Sequence, residues 1–176
     1  RFGQTYHGNR ISYVLVDRWF VSTFGLEPGL LVARHVVLGM AVLAAFSLGA
    51  RWGGDAAAVV VAGVVALTPW LPRQLLWTHY DGFAATYVLI AVALVMVPRG
   101  PRTRPVGELL AGVALAAAIN ANLAVSVLAA VTVVGWWALR RSEGRRALAV
   151  GTARIVAGWA MATVAVALTL RSLFPG

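Results

Sequence analysis

The sequence predicts an all-α protein: a polytopic bundle of transmembrane helices, with one further helix lying in the membrane interface. Three observations predict it. Hydrophobic residues fill 60% of the 176 positions and charged residues only 12%, whereas a soluble domain carries roughly 25% charged residues. Several apolar runs approach or exceed the ~17–25 residues that cross a bilayer. The runs are continuous rather than alternating, which excludes barrel strands, and in lipid only helices and closed barrels satisfy the backbone.

Residues 1–28 are too polar to span and too apolar for a free loop. Arg10, Asp17 and Arg18 fall along one side of a helix, and most positions from Ile11 to Phe24 are apolar or aromatic. That pattern suits a helix at headgroup depth, ended by Gly25 and Pro28. The first span follows over about 30–50 and stops at Gly53–Gly54. Asp55 is a plausible N-cap for a second, over about 56–71, closed by Pro69 and Pro72. A third covers about 83–97. The apolar run 107–139 would be ~50 Å long as one helix, against ~30 Å of hydrocarbon. It is read as a hairpin of 107–119 and 123–139 with Asn120 and Asn122 near its turn, one tilted helix being the alternative. The last span covers about 149–170. All of this forms a single transmembrane domain.

Net charge is +9, and every one of the fifteen basic residues is arginine. Most lie between apolar runs, where membrane topology places them, so the charge does not argue for nucleic acid. With no cysteine, disulfides and thiolate chemistry are excluded. The loops with Arg99, Arg102 and Arg104, and with Arg140, Arg141, Arg145 and Arg146, are the most basic. The positive-inside rule puts both in the cytoplasm, which requires an even number of crossings between them and so supports the hairpin. Loops 51–55, 98–106 and 140–148 are then cytoplasmic. Residues 1–28, 72–82 and the C-terminal end face outward, and Arg154 lies close enough to the cytoplasmic side to snorkel.

The outward face holds the candidate site. "TPWLPRQLLWTHYDGFAATY" (68–87) places Arg73, His79, Tyr80 and Asp81 at the mouth of an apolar segment. An aspartate there is costly unless it is paired, hydrated or useful. Asp81 is read as a site carboxylate or as a helix cap, and His79 as a site residue or an interfacial histidine. Trp70, Trp77 and Tyr80 also suit an aromatic belt. Arg34, just inside the first span beside His35, either snorkels or binds an anion such as phosphate, whose oxygens a guanidinium matches bidentately. No HExxH, P-loop or GxSxG motif is present, and the sequence requires no metal or cofactor, though a divalent metal stays open.

The ordered pattern is an external "TYHGNR", an interfacial helix ending "FG", an "RWGG" turn, an external "HYDG", and "GVALAAAINANLAVSVLAAV" after a basic loop. It resembles the GT-C integral-membrane glycosyltransferases, specifically bacterial relatives of protein O-mannosyltransferases and lipid A aminoarabinose transferases. The resemblance covers nearly the whole chain, and its individual motifs are degenerate. It implies sugar transfer from a polyprenyl-phosphate donor to a glycan, lipid or protein acceptor outside the cytoplasm, by a single inverting displacement. The family's main catalytic aspartate is then expected upstream of Arg1, in a longer protein of which this chain is a part, and the chain alone is expected to be inactive. Asp81 matches an acidic position at the start of the third span. Tyr6, His7, Asn9, Arg10, Arg34, Arg73, His79 and Tyr80 are the candidate substrate-binding residues. Asn120 and Asn122 stand where the family often has a lysine, which leaves phosphate binding on that element in doubt. A transporter or flippase segment predicts polar residues deep in several spans and an internal repeat. A non-catalytic scaffold predicts polarity without bias for one face. Both remain alternatives.

Overall fold

The computed structural model describes residues 11–76, 80–97 and 100–173, which are helical or in short turns throughout. The all-α class is therefore shown. Seven helices follow in order: α1 (Ile11–Phe24), α2 (Leu26–Leu67), α3 (Trp70–Leu76), α4 (Tyr80–Met96), α5 (Arg104–Ala121), α6 (Ser126–Arg140) and α7 (Arg145–Leu173).

Local chemistry sets the breaks. Gly25 ends α1 at φ 86°. Pro28, expected to help end α1, instead sits in the first turn of α2, where its missing N–H costs nothing. Within α2, Gly54 takes φ 72° and ψ −169°, a region open essentially to glycine alone. The chain reverses there. A Cβ built on Gly49 would lie 2.7 Å from the Ala58 Cα, and Val37 and Val65 share one core cluster. A straight helix would hold those two valines about 42 Å apart. The arms 26–53 and 55–67 are thus two antiparallel helices. Thr68 is extended, as a residue before proline prefers, and the second arm stops short of Pro69. The short helix α3 was not legible in the sequence; it carries Pro72 in its first turn.

The run 107–139 also breaks. Asn122 is extended at φ −148°, and its side chain accepts a hydrogen bond from the Ala124 N–H. Arg104, at the start of α5, pairs with Glu143, just past α6, at 2.6 Å. The two helices therefore return to the same end as a hairpin.

The core is built largely from alanine and glycine, which let helix backbones approach closely. At the α5–α7 contact a Cβ on Gly112 would meet the Ile155 carbonyl oxygen at 1.9 Å, and one on Gly158 the Leu109 carbonyl oxygen at 2.0 Å. Larger residues fill what remains, with Trp136, Phe83 and Leu75 almost wholly buried. Many other valines and leucines point outward. Val59, Val60, Val131, Val134, Val164 and Leu168 are each more than half exposed, an apolar surface far beyond what a soluble monomer shows. Among the described residues three helical stretches, Leu26–Leu67, Leu123–Glu143 and Arg145–Ser172, are long and apolar enough to cross a membrane.

Candidate functional site

The bundle has two chemically different ends. At one end meet α1, the start of α2, α3, the start of α4 and the end of α5. Asp17 on α1 takes both terminal nitrogens of Arg34 on α2, one of them, Nη2 to Oδ2, at 3.0 Å. Arg34 is only 4% exposed, and its guanidinium lies 5.1 Å above the centre of the Phe83 ring. A charge buried this deeply persists because its partner and the ring replace water. Tyr13 of α1 packs on the same ring at 5.8 Å between centroids.

At the same end, the Asn122 amide donates to Asp81 Oδ1 at 2.5 Å. Asp81 stands within the first turn of α4, where a negative charge is favoured by the helix dipole. Asn120 Oδ1 accepts from the backbone N–H of Ser12 at 2.8 Å. The Ser12 hydroxyl donates to the Ala117 carbonyl, and the Tyr87 hydroxyl to the Ser12 carbonyl. So the "NAN" sequence does more than form a turn: it fastens α1 and α4 to the end of α5.

The two aspartates are not equivalent. Asp17 engages the Arg34 guanidinium through both oxygens. Asp81 is held through Oδ1 by a neutral amide.

The candidates from sequence are only partly assembled. Asp81 and Tyr80 open α4, and Tyr80 is half-buried with its ring 6.5 Å from that of Tyr13. Arg34 and His35 border a cavity of about 100 Å³ closed by Leu38, Pro72 and Leu75. Arg34 spends its fork on Asp17 rather than presenting it to an anion, and the His35 Nδ1 bonds to the Leu31 carbonyl at 2.8 Å. Arg73 is exposed on α3. Tyr6, His7, Asn9, Arg10 and His79 lie outside the described residues. Among the described residues no three His, Asp or Glu side chains converge as metal ligands would.

The opposite end gathers the arginines. Glu108, 2% exposed, accepts from Arg104 Nε at 2.9 Å and from Arg154 Nη1 at 3.0 Å. Glu143 binds Arg104 and Arg140, and Arg140 also reaches the Val95 carbonyl at the end of α4. Arg154, expected to snorkel, is an ion-pair partner. Sequence reading passed over Glu108, although Arg104 and Glu108 stand at the i, i+4 spacing of a helical ion pair. Comparison with known protein families, curated proteins and solved structures finds no match to this chain.

Proposed function

We propose that this chain is a multi-pass portion of a membrane glycosyltransferase that takes its sugar from a polyprenyl phosphate on the extracytoplasmic side. The observation that carries the reading is Asp81. It is a carboxylate at the bundle end remote from the arginine loops, held by Asn122 and flanked by an aromatic group of Tyr13, Tyr80 and Phe83. A carboxylate fixed at the edge of an apolar bundle suits deprotonation of an acceptor hydroxyl. Aromatic faces suit a sugar, and a polyprenyl chain suits the outward valines and leucines.

The positive-inside rule orients the bundle with Arg104, Arg140, Arg141, Arg145 and Arg146 in the cytoplasm and Asp81 outside. The leaving phosphate is anionic and calls for a cation. Arg34 serves only if Asp17 releases it, so Arg10 and Arg73 are the first candidates.

The test uses the full-length protein in membranes, incubated with a panel of polyprenyl-phosphate sugars while released polyprenyl phosphate is quantified. Wild type releases it, and Asp81→Asn, which keeps an oxygen to accept from Asn122, loses release while remaining folded. Release that survives the substitution reduces Asp81 to a structural residue. No release with any donor removes the assignment.

A further inference from the structure

At the arginine end a cavity of about 530 Å³ opens between the start of α5 and the start of α7. Arg104, Arg146 and Arg154 line it, opposed in the wall by Glu143 alone. Even with Glu108 counted behind Arg104 and Arg154, three guanidinium groups face two carboxylates, a surplus of one positive charge. Arg146 supplies that surplus: it is exposed, and among the described residues it makes no ion pair.

The wall changes character along one face of α7. Arg146, Val150 and Arg154 line the cavity, and continuing at helical spacing the same face runs to Ala157 and Met161, both exposed. A cationic cradle at the mouth thus continues into an apolar stripe along the bundle. That is the shape of a lipid: an anionic head and acyl chains below it.

We infer that this cavity binds the phosphodiester headgroup of an anionic phospholipid of the cytoplasmic leaflet, with Arg146 as its principal cation and the 157–161 face of α7 as its chain contact. The inference concerns the end of the bundle away from Asp81. It rests on the membrane placement of the helices but not on sugar transfer. A free phosphate would satisfy the same guanidinium groups, but it would leave the apolar continuation of the site unused.

The experiment uses the full-length protein in detergent and dioctanoyl-phosphatidylglycerol as probe, with dioctanoyl-phosphatidylcholine and inorganic phosphate in parallel. Binding is read by native mass spectrometry. One arginine near an anionic surface is worth about a fivefold change in affinity. Phosphatidylglycerol is therefore expected to bind well above phosphatidylcholine and to weaken about fivefold in Arg146→Gln. Arg18→Gln, which removes the same charge from α1 at the other end, is expected to leave binding unchanged. The thermal midpoint of Arg146→Gln matches wild type, because that side chain is exposed and makes no ion pair among the described residues. Equal loss in both variants would reduce the effect to net charge and overturn the site. Inorganic phosphate binding with equal affinity and equal sensitivity to Arg146→Gln would overturn the lipid. Failure of the membrane placement itself shows separately, as release of the protein by alkaline carbonate.

Discussion

Glu108 gives the sharpest energetic test of the structure. Its carboxylate is 2% exposed and accepts charge-assisted bonds from Arg104 and Arg154. Such bonds contribute about 1.5–3 kcal/mol each, so the pair amounts to roughly 3–6 kcal/mol before relaxation. Three features reduce the loss in Glu108→Gln. The amide oxygen still accepts one bond, and both arginines reach solvent, with side chains 26% and 39% exposed. Arg104 also keeps Glu143. The net cost is therefore that of about one charge-assisted bond, ~2 kcal/mol. Glu108→Leu, which leaves the two arginines facing an apolar group, should cost more, toward the ~3–5 kcal/mol seen when one partner of a buried pair is removed.

The assay is reversible unfolding of the full-length protein in mixed micelles, followed by circular dichroism. Arg154→Gln and the double variant complete a cycle that isolates the coupling of the pair. A Glu108→Gln protein within ~0.5 kcal/mol of wild type, the range of ordinary surface changes, would refute the network as a source of stability. So would a coupling energy near zero between positions 108 and 154.

The other predictions concern the opposite end and the tight contacts. Asp17→Asn should destabilise more than Arg34→Gln, because the Arg34 side chain is 5% exposed and that of Asp17 is 18%; the reverse order in the same unfolding assay would contradict the burial argument. Asn122→Ala should cost about 1–2 kcal/mol by removing the Ala124 cap, close to the value for other lost caps, and should lower any polyprenyl phosphate release along with it. Gly54→Ala forces a Cβ into a glycine-only backbone region and should cost about 1–3 kcal/mol, whereas Gly39→Ala, with open space around it, should cost nothing measurable in a thermal melt. Ser142→Cys and Thr68→Cys, each introduced singly into a cysteine-free background of the full-length protein, can be labelled by an impermeant maleimide in sealed vesicles; the proposed topology has them react from opposite sides.

Much of the helix plan was legible because the breakers are local. Gly53–Gly54, Pro69 and "NAN" interrupt apolar runs, and in each case the chain leaves the helix within a few residues of them. Pro28 misled because proline stops a helix only from inside it; in a first turn it is tolerated. The short helix α3 starts just after Pro69 and carries Pro72 in its first turn, the two prolines that read as the close of the second span. The ion pairs were less legible for a different reason. Asp17 meets Arg34 across a glycine turn between helices, and Asn122 meets Asp81 from 41 positions away. No periodicity encodes either contact; they exist only once the helices pack. Arg104 and Glu108 did carry a local signal in their spacing.

The two ends handle charge in opposite ways, and that difference bears on function. At the arginine end, carboxylates are the minority: Glu108 and Glu143 are shared among Arg104, Arg140 and Arg154, and cationic capacity is left over. At the other end, the buried cation Arg34 is fully matched by Asp17, while Asp81 is secured by a neutral amide. A neutral donor orients a carboxylate without cancelling its charge. Had the chain required only a stable helix junction there, an arginine at position 122 would have paired Asp81 more strongly, as the glutamates are paired at the opposite end. The asparagine gives Asp81 an orienting donor and no counter-charge. The proposed base is read from that geometry, and for the same reason Asp81→Asn is the substitution on which the proposed chemistry turns.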